Sequence, residues 1–234
     1  MPTAIITGAS RGLGLALARA LADRSWNLVL DARGAEALEK VAEELSGKAE
    51  NLGNTVRAIS GDVADDGHRR ELVEAAEELG GPDLLVNNAS LLGPSPQPRL
   101  ADYPLDDLRA VYEVNLTAPL ALIQLALPLL SQSPQGRILN ITSDAGVEGY
   151  EGWGGYGSSK AALEQLSKVL AAEHPTLRVW WVDPGDMNTQ MLQEAYPDED
   201  VSDRPPPEES VPGLLKLLDD DLPSGRYQAR ELAS

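Results

Sequence analysis

The chain has 234 residues, a formal net charge of -18, no cysteine and two histidines, His68 and His174, far apart in sequence. That length buries a sizeable core and suits one α/β domain, while the missing thiols and scattered histidines exclude a disulfide framework, a thiolate metal site and a histidine metal cluster. The negative charge argues against nucleic acid and anionic lipid as partners.

The first strand-like run, Ala4 to Ile6, leaves no room after Met1 for a basic segment and an apolar signal core, so a cytoplasmic protein is expected. Thr7-Gly8-Ala9-Ser10-Arg11-Gly12-Leu13-Gly14 then opens a helix reaching about Arg24. A second strand, Leu28 to Leu30, runs into Asp31-Ala32-Arg33 and a helix from Ala35 to Leu45. The third strand, Val56 to Ile59, ends near Asp62-Val63 and precedes a helix from Asp65 to Leu79. The fourth, Leu84 to Val86, leads into Asn87-Asn88-Ala89-Ser90 and a proline-rich loop from Gly93 to Pro104.

One long helix is predicted from Leu105 to Leu130. Its apolar part holds Asn115, Thr117, Gln124 and two prolines, which fits a helix buried in protein better than a membrane span. A fifth strand, Ile138 to Ile141, brings Ser143 to its carboxyl end, and a helix from Gly157 to Glu173 follows. After the sixth strand, Val179 to Val182, come Pro184-Gly185-Asp186-Met187 and an acidic stretch from Gln190 to Pro207, read as a loop lying over the site. Glu208 to Leu218 can form a helix, and Arg226 to Ala229 a short edge strand.

Apolar strands alternating with helical segments specify a doubly wound parallel sheet of six to seven strands, with helices on both faces, in a single domain over residues 1–234. Ligands of such sheets sit outside the carboxyl ends of the strands. The glycine loop lies at the first of those ends, where free backbone N–H groups at a helix start can receive a dinucleotide pyrophosphate. Steric need at a tight turn would also account for its glycines.

Tyr156-Gly-Ser-Ser-Lys160 puts a phenol and an ammonium on one helix face if the segment is helical. A nearby positive charge would lower the tyrosine pKa toward the range of a general acid or base, although an ordinary surface pair has the same spacing. A Ser143 hydroxyl at a strand end could donate to a substrate oxygen that gains charge. Asn115 reads equally as a satisfied core amide that pins its helix.

Thr-Gly-x-x-x-Gly-x-Gly together with Tyr-x-x-x-Lys resembles the short-chain dehydrogenase/reductase family, and the likeness extends in order from Thr3 to Thr189, with twelve residues between Ser143 and Tyr156. It implies a Rossmann fold and a catalytic tetrad of Asn115, Ser143, Tyr156 and Lys160. Tyr156 would pass a proton to a carbonyl oxygen held by Ser143, Lys160 would bind the nicotinamide ribose and depress the tyrosine pKa, and Asn115 would order a relay water. It further implies cofactor contacts from Gly8, Ser10, Arg11, Gly12, Leu13 and Gly14, from Asp62 and Val63 at the adenine, and from Asn88, Ala89 and Ser90. Pro184, Gly185, Met187 and Thr189 would meet the nicotinamide. Ser90 stands where the family carries glycine, and the usual C-terminal Asp-Gly-Gly is missing, which leaves the last strand open.

In NADP-preferring members an Ala-Arg pair closes the second strand, as Ala32-Arg33 does here, and Arg11 is the matching second base. NADP is therefore the expected cofactor, and NAD the alternative should Asp31 face the ribose. The expected activity is reduction of a small ketone or aldehyde, or the reverse oxidation of a secondary alcohol. Tyr150 and Trp153 are candidate substrate contacts, and a homodimer or homotetramer paired through Leu116 to Leu130 and Ala161 to Leu170 is anticipated. The rivals are an NAD-dependent alcohol dehydrogenase and a non-catalytic dinucleotide-binding sensor or structural protein.

Overall fold

The structure, a computed structural model, describes residues 1–233, apart from the side chains of residues 48–52. Its strands are β1 (Thr3–Ile6), β2 (Asn27–Ala32), β3 (Val56–Ser60), β4 (Leu84–Asn87), β5 (Arg137–Ile141), β6 (Arg178–Asp183) and β7 (Gly225–Gln228). Its α-helices are α1 (Gly12–Ala22), α2 (Ala35–Leu52), α3 (Asp66–Glu77), α4 (Leu105–Tyr112), α5 (Ala118–Leu130), α6 (Gly154–Glu173), α7 (Gln190–Ala195), α8 (Val211–Asp219) and α9 (Ala229–Ala233). The strands form one sheet in the order β3-β2-β1-β4-β5-β6-β7, and every pairing is parallel.

Alternation along each strand divides the core into two layers. Ile6, Leu28, Leu30, Val86 and Val182 pack on one face with Leu17 and Leu21 of α1, Leu38 of α2 and Leu214 of α8. Ile5, Val29, Leu85, Ile138 and Val179 pack on the other with Leu72 of α3, Leu122 and Ile123 of α5 and Leu170 of α6. A strand covered on both sides has no polar face, which is why the apolar runs are continuous. β7 joins β6 in register from Trp180 with Gly225 to Asp183 with Gln228, so the seventh strand forms without the Asp-Gly-Gly ending.

Three differences from the predicted elements bear on the site. The single helix from Leu105 to Leu130 keeps its helical course but widens at Glu113–Thr117 into a π turn, where the Ala118 N–H reaches back five residues to the Glu113 carbonyl. A π turn of this kind marks a place where a side chain is re-aimed at the expense of regular hydrogen bonding. This 26-residue run is long and apolar enough to cross a membrane by length and composition; Leu122, Ile123, Ala126 and Leu130 point into the second core layer. The stretch 190–207 is only partly a loop, since α7 takes its first turn and a half, capped by the Thr189 hydroxyl accepting from Leu192 N at 3.3 Å. Finally, α6 starts at Gly154 rather than Gly157, so Tyr156 lies inside its first turn.

Candidate active site

The sheet order reverses between β1 and β4, and the carboxyl ends there open on a cavity of about 780 Å³. That is the place where a doubly wound sheet receives a dinucleotide. The crossover is tied down by side chains. Thr7 Oγ1 accepts from Asn88 N and Ala89 N, both at 3.0 Å, and donates to the Val86 carbonyl at 3.2 Å. Asn88 Nδ2 donates to the carbonyls of Thr7 at 2.8 Å and Gly8 at 3.1 Å.

Most of the predicted cofactor residues reach this cavity. Gly8, Ser10, Arg11, Gly12 and Leu13 line it from the glycine loop, and Ala32 and Arg33 from the end of β2. Asp62, Val63, Asn88, Ala89 and Ser90 line its middle, with Tyr156, Lys160, Pro184, Met187 and Thr189 at the far end. Two predicted contacts do not. Gly14 faces inward, where a Cβ would come within 2.4 Å of the Gly8 carbonyl oxygen, so its role is to let α1 pack against the loop. Gly185 donates its N–H to Asp183 Oδ1 at 2.9 Å and lies against the Arg230 guanidinium instead of lining the cavity.

At the far end Lys160 is 2% exposed and Tyr156 8% exposed. Lys160 Nζ donates to the Ile141 carbonyl at 2.8 Å and sits 5.4 Å from the centre of the Tyr156 ring. Burial pushes the Lys160 ammonium down to about 7. Tyr156 departs from the expected lowering. Burial drives its pKa up, the Ser90 side chain opposes this, and Asp183 and Asp144 add to the rise. A lysine already driven toward neutrality carries little charge to stabilise a phenolate, so in this state desolvation outweighs the attraction. Trp153 meets Tyr156 edge to face at 5.8 Å and also packs on Tyr196. It backs the tyrosine and does not line the cavity.

The other two tetrad positions act at one remove from the cavity wall. Ser143 follows β5 as expected, but its hydroxyl donates to Asp144 Oδ1 at 2.9 Å and accepts from Ala145 N at 3.2 Å, capping the turn Asp144–Gly146. Asn115, fully buried in the π turn, accepts at Oδ1 from Leu91 N at 2.7 Å and Ser90 Oγ at 3.2 Å. Its Nδ2 donates to the Leu91 carbonyl and to Ser159 Oγ, each at 2.9 Å. Those four bonds use the whole capacity of the amide, so the side chain has none left for a relay water and instead clamps residues 90–91 to α6. Ser90, in place of glycine, joins that clamp through its hydroxyl.

Of the expected substrate wall, Tyr150 is 46% exposed and donates to Asp144 Oδ2 at 3.0 Å. Leu91 and Leu92 on one side and Met191 and Glu194 of α7 on the other line the cavity. α7 was missed because a single short turn inside an acidic, proline-containing stretch has too few residues to show a period. Arg11 donates to Gln190 Oε1, which links the glycine loop to α7. Arg33 has no hydrogen bond or ion pair among the described residues. Asp31 is 1% exposed and bonds through Oδ1 to His68 Nε2 at 2.6 Å, a contact the sequence did not suggest.

The short chain dehydrogenase family model matches residues 2–200. A sepiapterin reductase of Meriones unguiculatus is 36% identical over 201 residues, covering 82% of this chain and 76% of that protein. A rhamnolipid-biosynthesis 3-oxoacyl-[acyl-carrier-protein] reductase of Pseudomonas aeruginosa is 35% identical over 235 residues, 96% of this chain and 82% of that one. Among solved structures, a short chain dehydrogenase from Shigella flexneri in complex with NADP superposes with a TM-score of 0.89 at 29% identity, over 98% of this chain and 97% of that chain.

Proposed function

The chain belongs to the short chain dehydrogenase family of oxidoreductases, and on that premise we propose that it is an NADPH-dependent reductase of small ketones or aldehydes. The observation that carries this reading is one continuous cavity with Arg33 at one end and the buried pair of Tyr156 and Lys160 at the other. The loop that would hold the pyrophosphate is preorganised: Gly14 lets α1 pack against it, and the strand-end crossover is fixed by Thr7 and Asn88. NADP is supported by the Arg33 guanidinium, which has no partner among the described residues and is suited to a phosphate, and by relatives solved with NADP or NADPH bound.

Bound NADPH supplies the hydride that adds to the carbonyl carbon. Tyr156 supplies the proton to the carbonyl oxygen, and its raised pKa keeps that proton in place until charge develops on the oxygen. Lys160, held by the Ile141 carbonyl, orients the ribose and, when protonated, favours release of the tyrosine proton. Ser143 turns its hydroxyl from Asp144 to the substrate oxygen. Asn115 holds residues 90–91 and α6 in register so that Ser90 and Tyr156 share one wall.

A homodimer or homotetramer is part of the proposal, supported by Val169 of α6, which is 45% exposed on one of the two helices expected to pair. Light scattering tests it, and a monomeric mass counts against it. An acyl-carrier-bound substrate is disfavoured by like charge, since such carriers are acidic and this chain carries -18. The deciding experiment follows NADPH and NADH consumption across a panel of small ketones and aldehydes that also contains sepiapterin and a 3-oxoacyl thioester. Turnover of a small carbonyl with NADPH is expected. Binding of NADPH without turnover of any member would favour the sensor reading, and preference for NADH would favour the NAD-dependent alcohol dehydrogenase.

A further inference from the structure

Nothing in the reduction step uses the buried contact between Asp31 and His68, although it lies at the opposite end of the same cavity. His68 is 6% exposed and sits in the first turn of α3, where its backbone N–H is capped by Asp65 Oδ1 at 2.8 Å. Gly61, just past β3, makes room for the ring: a Cβ there would come within 2.3 Å of His68 Nδ1. The Gly61 N–H donates to the Ala32 carbonyl at 3.1 Å, so the imidazole is wedged under the ends of β2 and β3. Asp31 gives Oδ1 to His68, and its Oδ2 accepts from Gly8 N at 3.4 Å.

Asp31 lines the cavity, one residue before Ala32 and two before Arg33, yet each of its carboxylate oxygens already has a protein partner. A free carboxylate at this strand end would accept from a ribose 2'-hydroxyl and repel a 2'-phosphate. Burial raises the Asp31 pKa and the Asp62 charge adds to the rise, with the His68 bond opposing, and the Asp31 bond in turn raises His68. Each group is thus the compensation for burying the other, and removing the histidine leaves a buried carboxylate that gains by turning toward the open cavity.

We propose that His68 is a positioning residue for cofactor discrimination, holding the Asp31 carboxylate against α3 so that Arg33 meets the 2'-phosphate without a competing negative charge. The inference rests on the NADP reading above.

The test measures dissociation constants of NADPH and NADH by fluorescence titration for the wild-type chain, His68→Leu, His68→Gln, Asp31→Asn and the double variant His68→Leu/Asp31→Asn. In the wild type NADPH binds more tightly. His68→Leu lowers the NADPH preference about tenfold, as expected for a new negative charge several ångströms from the phosphate. The double variant restores the preference, and His68→Gln, which keeps an N–H donor, retains it. A merely structural histidine would weaken both cofactors equally and would not be rescued by Asp31→Asn, and either result overturns the proposal. Should His68→Leu fail to fold, Asp31→Asn decides alone: a preference within about twofold of wild type supports a sequestered carboxylate. Selective loss of NADH affinity in that variant means that Asp31 contacts the ribose and refutes it. Tighter NADH binding by the wild type overturns the NADP reading itself and this inference with it.

Discussion

At one end of the cavity the buried Asp31 carboxylate has the His68 imidazole 2.6 Å away, whereas at the other the buried Lys160 ammonium has the neutral Ile141 carbonyl at 2.8 Å and the Tyr156 ring, with no ion pair among the described residues. In the first pair the histidine opposes the desolvation that raises Asp31, and the carboxylate in turn raises His68. The second has no such opposition, and burial takes Lys160 down to about 7 while raising Tyr156. The contrast separates two uses of a buried titratable group. Where an opposite partner opposes the burial cost, the group is fixed in place; where none does, burial moves the group far from its ordinary pKa, as it loosens the Lys160 proton and tightens that of Tyr156.

The sharpest way to break this contrast is at the chemical end. Tyr156→Phe is expected to lower kcat by about a thousandfold while NADPH affinity stays within a few fold, because only the transferable proton is removed. Steady-state kinetics with a fluorescence titration check both parts, and retained turnover would refute the acid role. Ser143→Ala should lower kcat by about a hundredfold, with less effect on KM, if the hydroxyl leaves Asp144 to meet the developing oxyanion. An unchanged kcat would leave Ser143 as nothing more than the cap of the turn that follows β5.

At the opposite end, Arg33→Ala should weaken NADPH about tenfold and NADH hardly at all, the loss of one charge-assisted phosphate contact. Equal weakening of both cofactors would remove Arg33 from the phosphate. The smallest effect concerns stability. Lys160 in the folded chain ionises near 7, below its ordinary 10.5, so between those values the unfolded chain binds more protons than the folded one. Stability attributable to this residue accordingly rises with pH from 7 to 10.5 and is lowest below 7. Lys160→Met, without cofactor, should raise Tm by roughly 5 °C near pH 7.5 and flatten that slope. Thermal melts at several pH values test it, and a lower Tm would mean that the Ile141 bond outweighs the burial cost.

The strands were legible because most buried strands are continuous apolar runs, and the cofactor residues because they sit at strand ends and match the family's motifs; the order of the strands in the sheet came from the structure. Tyr156 and Lys160 were legible as a helical pair. Other features depended on neighbours far along the chain. His68 and Asp31 are 37 residues apart, and Arg11 meets Gln190 across 179. The π turn had one trace in sequence, a polar Asn115 in an apolar helix, but its clamp to Leu91 and Ser159 lies 24 and 44 residues away.

By itself the sequence determined the layered α/β fold, the family and the residue types at the site, since periodicity, strand-end position and local spacing are properties of the chain alone. Only the tertiary structure decided which groups ionise, which are spent on one another and which face the cavity. Desolvation and partner geometry arise when distant segments are packed together: the same packing that holds Asp31 on His68 leaves Lys160 and Tyr156 without a compensating charge.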